Sequence, residues 1–110
     1  MRVLAAPDKF RGSLTALEVT SAIKKAVEKS GWIPTGAPLA DGGEGTLEVL
    51  GGANRTTTVT GPSGTPVEAE WRLADRTAVI EVARVSGLAL AGGPESNNPL
   101  EATSKGTGEL

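Results

Sequence analysis

Arg2-Val3-Leu4-Ala5-Ala6-Pro7 and, one loop further on, Thr15-Ala16-Leu17-Glu18-Val19 are the residues whose reading decides the fold. Residues 2 to 6 form a short apolar run halted by proline, the pattern of a strand buried on both faces of a parallel sheet. Thr15 and Glu18 are spaced as a capping box, and Leu14 with Val19 supplies the hydrophobic staple of a helix start. Val19, Ala22, Ile23, Ala26 and Val27 then recur at three- and four-residue spacing, with Lys24, Lys25, Glu28 and Lys29 on the other side. Gly31 stands where a C′ glycine ends a helix. Trp32 to Leu39 reads as a second extended segment, kept short or at an edge by Pro34 and Pro38, which cannot donate to a ladder. Strand, helix and strand in this order make a βαβ unit, so the fold class is α/β.

Parallel strands bring the loops that follow them to the same carboxyl edge, where open α/β sheets bind ligands. Those loops are residues 7 to 13, with Asp8, Lys9 and Arg11, and residues 40 to 46, Ala40-Asp41-Gly42-Gly43-Glu44-Gly45-Thr46. The three glycines let the backbone lie close to a ligand, and Thr46 to Leu50 looks like the first turns of a helix whose free N–H groups attract anions. Asp41 and Glu44 repel a bare anion unless a cation such as Mg²⁺, or a Lys or Arg, stands between. Facing Asp8, Lys9 and Arg11, they make sense as carboxylates for a metal or hydroxyl beside cations for a phosphate or carboxylate. Two structural readings remain open here. Asp41 can be an N-cap with Glu44 closing a capping-box-like pair, and residues 7 to 13 can be a solvated charged turn.

The composition narrows the chemistry. Eleven Lys+Arg against 13 Asp+Glu leave no basic excess, and 3% aromatic residues leave few stacking platforms, which argues against nucleic acid. Without cysteine or histidine, thiol nucleophiles, histidine triads, disulfides and Cys/His zinc sites are excluded. Reaction chemistry rests on Asp, Glu, Lys, Arg, Ser or Thr. Val3 to Ala6 is too short for a signal segment or a membrane span, so a soluble, cytoplasmic protein with no membrane partner is expected. Glycine and proline make one residue in five, a sign of many turns.

Beyond Gly51-Gly52 the period changes from helical to two. Thr56 to Thr60, the turn Gly61-Pro62-Ser63-Gly64, and Val67, Ala69, Trp71 and Leu73 alternating with Glu68, Glu70 and Arg72 read as a hairpin with one covered face. Trp71 is expected in its core. A turn at Ala74-Asp75-Arg76 leads to an expected third strand, Thr77 to Ala83, with Glu81 on a solvated face. From Arg84 the chain reads as irregular, with turn signals at Ser86-Gly87, Gly92-Gly93-Pro94 and Asn97-Asn98-Pro99. Thr103 to Leu110 announces a further helix just as the sequence stops, so the chain is expected to be the N-terminal portion of a longer one.

Four blocks in this order resemble type I glycerate kinases, from their first residue to about their first third: Ala6-Pro7-Asp8-Lys9-Phe10-Arg11-Gly12-Ser13-Leu14; Ala40 to Thr46; Val59-Thr60-Gly61-Pro62; and Asn98-Pro99-Leu100 with Thr103-Ser104 and Gly106-Thr107-Gly108-Glu109-Leu110. The resemblance implies ATP-dependent phosphorylation of D-glycerate to phosphoglycerate, with Mg²⁺, by a two-lobed enzyme. Residues 1 to 52 would begin a Rossmann-like lobe and residues 53 to 110 a second α/β lobe. Asp8, Arg11 and Asp41 fall to the catalytic cleft, and Lys9, Gly42, Gly43, Glu44, Gly45 and Thr46 to substrate or phosphate binding. The family usually carries lysine where this chain has Arg11 and often serine where it has Lys9. Arginine keeps the charge but cannot shuttle a proton, and the general base is left open. No Walker A sequence occurs, so the nucleotide needs another device, expected beyond Leu110. The rival reading is a non-catalytic anion-binding α/β module.

Overall fold

The computed structural model describes all 110 residues, in two compact units, Met1–Val49 and Leu50–Leu110. The first unit holds β1 (Arg2–Ala5), α1 (Ala16–Lys29), β2 (Ile33–Gly36) and the single turn α2 (Thr46–Val49). The second holds β3 (Arg55–Thr60), β4 (Pro66–Ala74), β5 (Thr77–Val79), the turn α3 (Ala83–Ser86) and α4 (Lys105–Glu109). The class is α/β: a parallel pair, then an antiparallel three-stranded sheet in the order β3-β4-β5.

Helix α1 forms where its local signals put it. The Thr15 hydroxyl accepts from the Glu18 amide at 3.2 Å while the Glu18 carboxylate accepts from the Thr15 amide at 2.8 Å. At the other end Gly31 takes φ +74°; its amide donates to Glu28 O and that of Trp32 to Val27 O, a Schellman closure that satisfies the last carbonyls. The helix buries Ala16, Val19 and Thr20. It lies close on β2, because a methyl group at Gly36 would sit 2.7 Å from Thr20 Cγ2.

β1 and β2 pair in parallel from Arg2↔Ile33 to Ala5↔Gly36. Partners in register share a face, so Val3, Ala5, Pro34 and Gly36 lie under α1, while Leu4 and Ile33 point the other way and are 65% and 63% exposed. The expectation of a strand buried on both faces is therefore corrected. A single helix covers one face of the two-stranded sheet, and no other element of Met1–Val49 packs on the opposite face.

In the second unit β3 and β4 pair from Arg55↔Trp71 to Thr60↔Pro66, closed by Gly61–Gly64 with Gly64 at φ +83°. Val59, Ala69 and Val85 form the core, with Val67 and Leu110 packed against it. Trp71 is only half-buried, and its indole N–H donates to Thr57 Oγ1 at 3.0 Å. α4 rests on β3 through Gly106, where any side chain would overlap the Thr60 carbonyl. The Glu109 carboxylate accepts from the Thr60 amide at 2.7 Å and hydroxyl at 3.0 Å.

Two expectations fail here. β5 ends at Val79 instead of Ala83, and residues 83 to 86, read as the end of the strand and the start of an irregular segment, form a helical turn. Glu81 is 1% exposed rather than solvated. Its carboxylate pairs with Arg84, three residues on in that turn, whose Nε lies 3.5 Å from Glu81 while its Nη1 donates to Glu70 of β4 at 2.6 Å. A buried carboxylate needs such a partner, and strand alternation cannot reveal it.

Candidate active site

The parallel pairing does not stop with the strands. The Ala37 amide donates to Ala5 O at 2.8 Å and the Leu39 amide to Pro7 O at 2.9 Å, so the segments leaving β1 and β2 run side by side into their loops. Residues 7 to 13 and 40 to 46 therefore emerge together at the carboxyl edge. The first loop is closed by Phe10 and Leu14, which exchange amide–carbonyl bonds at 2.8 and 3.1 Å.

Across this edge the Lys9 ammonium lies 3.5 Å from Asp41 Oδ1 and 3.9 Å from Asp8 Oδ1. Asp8 also accepts from the Lys9 amide at 2.6 Å, which fixes its carboxylate beside the lysine. Asp41 Oδ1 accepts from the Gly43 amide at 3.0 Å, a turn closed by its own side chain. That bond, followed by the charge of Lys9, holds the Asp41 carboxyl below its ordinary range. Gly42 and Gly45 adopt φ of +93° and +95°, a region open to glycine at little cost. A methyl group at Gly43 would lie 3.0 Å from Asp41 Oδ1, so the bare backbone there lets the carboxylate close over it, and the Lys9 stem passes within contact distance of Gly45.

Three of the expected residues are thus brought together, Lys9 touching both Asp8 and Asp41, with Gly43 bonded to Asp41. Arg11 is not among them; it is exposed and makes no ion pair. Glu44 is exposed too and closes no capping box with Asp41, which bonds within the loop and caps no helix. Thr46 turns inward, its hydroxyl donating to Gly43 O at 2.7 Å and its amide to the same oxygen at 3.2 Å. The Gly43 and Thr46 amides are therefore spent inside the loop, and α2 is a single turn anchored by the fully buried Leu47. An anion cradle at a helix start does not describe this loop; it presents a carboxylate and a cation. Sequence reasoning put Lys9 at this edge, facing Asp41, for substrate or phosphate binding; its contact with Asp8 and Asp41 together had no signal beyond the shared sheet edge.

No helix is long and apolar enough to cross a membrane. The chain is 43% identical over 120 residues to Glycerate 2-kinase of Escherichia coli (strain K12) and 43% identical over 121 residues to Glycerate kinase of Bacillus subtilis (strain 168). Each match takes in 100% of this chain and 31% of the relative, so the chain spans about a third of the length of the curated relatives it matches. A candidate glycerate kinase 2 of Salmonella typhimurium LT2, solved as a crystal structure, superposes with a TM-score of 0.76 at 40% identity over 100% of this chain and 32% of that one. The glycerate kinase family model matches residues 3–110, nearly the whole sequence, and the chain belongs to that family.

Proposed function

We propose that the complete protein phosphorylates D-glycerate to phosphoglycerate with ATP, and that the Asp8–Lys9–Asp41 edge is part of its catalytic cleft. The contact of Lys9 with both aspartates is the observation that supports this most, because it sets acids and a cation together where two parallel strands end. Phosphoryl transfer asks the protein chiefly for positioning and charge neutralisation. The Gly43 and Lys9 contacts both fall on Asp41 Oδ1, so Oδ2 is the oxygen offered to a substrate hydroxyl proton or to Mg²⁺. Arg11, exposed in the neighbouring turn, supplies a bidentate cation for the glycerate carboxylate or the transferred group.

The donor set fits Mg²⁺ in its usual manner. No cluster of three or more possible ligands gathers here, and this ion is commonly held by one or two carboxylates together with water and substrate phosphates. Asp41 and Asp8 are the residues that would hold it, and it would neutralise charge on the phosphates. The nucleotide is assigned to the two-thirds of the relatives' length that this chain does not span. Residues 1 to 52 are assigned to a Rossmann-like lobe and residues 53 to 110 to the start of a second.

The test is an assay of the complete protein with ATP and a panel of small hydroxy acids. Preference for glycerate supports the proposal, and preference for another acid overturns the substrate. Anion binding without any transfer would put the non-catalytic module first.

A further inference from the structure

Arg11 stands on the tip of a closed turn. The Phe10 carbonyl accepts from the Ser13 amide at 2.9 Å, the Leu14 amide at 3.1 Å and the Ser13 hydroxyl at 3.1 Å, and the Phe10 amide donates to Leu14 O at 2.8 Å. Gly12 takes φ +77° while Arg11 keeps a negative φ, the signs of a type II turn with these two residues at its centre. A methyl group at Gly12 would meet nothing within 4 Å, so glycine is called for by its backbone angle and not by lack of room. Leu14 leads straight into Thr15, the cap of α1, which seats the turn on the helix. The side chain held out by all these bonds is exposed and makes no ion pair, although Asp8 and Asp41 stand at the same edge.

We propose that Gly12 and Ser13 are positioning residues: the turn they close delivers the Arg11 guanidinium to the carboxylate of the hydroxy-acid substrate. This rests on the phosphoryl-transfer function proposed above and deepens it by assigning the substrate's carboxylate end. The hydroxyl and the incoming phosphoryl group belong beside Asp41, Asp8 and Lys9, where acids and a cation meet. The carboxylate is the other charged end of the substrate, and Arg11 is the exposed cation of the same loop. A guanidinium matches a carboxylate with two parallel N–H bonds and stays charged at any working pH. Binding costs less when the backbone that carries such a side chain is ordered beforehand, which is what the closed turn supplies. Gly12 and Ser13 act through Arg11 and need no contact with substrate of their own.

The test is a double-mutant cycle in the complete protein, read by calorimetric binding of D-glycerate without nucleotide and by KM and kcat. Arg11→Met and Gly12→Ala are each expected to weaken binding and raise KM about fivefold or more, with kcat within about threefold. Once Arg11 is gone the turn has nothing to deliver, so the double variant should bind no worse than Arg11→Met, whereas independent structural losses multiply. Gly12→Asn, which tolerates a left-handed backbone, should recover most of the affinity that Gly12→Ala loses. Unchanged binding in Gly12→Ala, losses that multiply, no recovery with asparagine, or a fall in kcat at unchanged KM would each overturn the inference. So would a parent protein that binds no D-glycerate. A parent that binds it but transfers no phosphoryl group brings down the proposed function, while the binding cycle still decides whether Gly12 acts through Arg11. Should Gly12→Ala fail to fold, Ser13→Ala, which removes the hydroxyl bond to the Phe10 carbonyl and leaves the backbone turn, takes its place in the same cycle and is read in the same way.

Discussion

Leu39 donates its amide to the carbonyl of Pro7 at 2.9 Å, a parallel rung placed beyond the last residue of either strand. That rung carries Asp8 and Asp41 to one edge from positions far apart in the chain. The Asp41 side chain is 69% exposed and bonds only at the surface, to the Gly43 amide and the Lys9 ammonium, so it contributes little to the core. Asp41→Asn in the complete protein should lower kcat by about 10²-fold or more, the range of a lost acid–base or charge-stabilising group, and leave the thermal midpoint almost unchanged. Equal losses of activity and stability would make Asp41 a turn residue only.

Gly106→Ala tests the seat of α4 on β3. The added methyl would overlap the Thr60 carbonyl and stand 3.2 Å from Val59 Cγ2, both in the packed part of the second unit. Overpacking of this kind costs about 1–3 kcal/mol. Urea unfolding should show it as a lower midpoint, and a midpoint equal to that of the parent chain would mean α4 does not stay on Thr60 in solution.

Thr15→Ala removes the hydroxyl half of the capping box while Glu18 retains its own contact with the Thr15 amide. The expected loss is about 1 kcal/mol. Amide exchange should become faster first at the start of α1, and uniform acceleration along the chain would point to a wider defect.

Acid should weaken the second unit through Glu109. The Thr60 amide, then the Thr60 hydroxyl, holds its carboxyl below the ordinary value of 4.5, and the Lys105 ammonium at 3.4 Å adds to this. A carboxyl lowered in the folded state contributes stability that is present above the unfolded pKa and lost as pH falls through the folded one. Stability should therefore be level above the ordinary glutamate range and decline below it. Glu109→Gln should flatten that decline, and an unaltered profile would assign the acid sensitivity to Glu18, lowered by its Thr15 contacts, or to Asp41.

The 110 residues by themselves should be catalytically silent and marginally stable. Leu4 and Ile33 stand on an uncovered sheet face, and parallel sheets are stable when both faces are buried. A domain of this size ordinarily holds about 5–15 kcal/mol. Circular dichroism in urea should give a broad, early transition. A sharp one with a domain-sized m-value would show a self-sufficient domain.

Much of this was legible because its causes are local. Thr15, Glu18 and Gly31 mark both ends of α1 within a few residues of where it begins and ends, and the turn Gly61–Gly64 fixes the hairpin register by itself. The parallel pairing followed from element order, and with it the meeting of residues 7 to 13 with 40 to 46. Glu81 was misread because the strand ends at Val79, and the turn that follows, with Arg84 beside the carboxylate, breaks the strand period. Lys9 was expected at this edge for substrate or phosphate binding, and its contacts with Asp8 and Asp41 had no signal of their own in the sequence. A bond spanning 32 residues leaves no periodic trace.

Backbone rests directly on backbone where Gly106 meets Thr60, with no side chain between to bend or change rotamer. Close-packed interiors have low compressibility and pass strain on, so this joint works like a rigid hinge pin rather than a cushion. A small displacement of Lys105–Glu109 must be taken up at Thr60, the last residue of β3, and from there by the Gly61–Gly64 turn it feeds. Glu109 braces the same joint from the side through its two bonds to Thr60, so α4 is fastened to the end of β3 at two points.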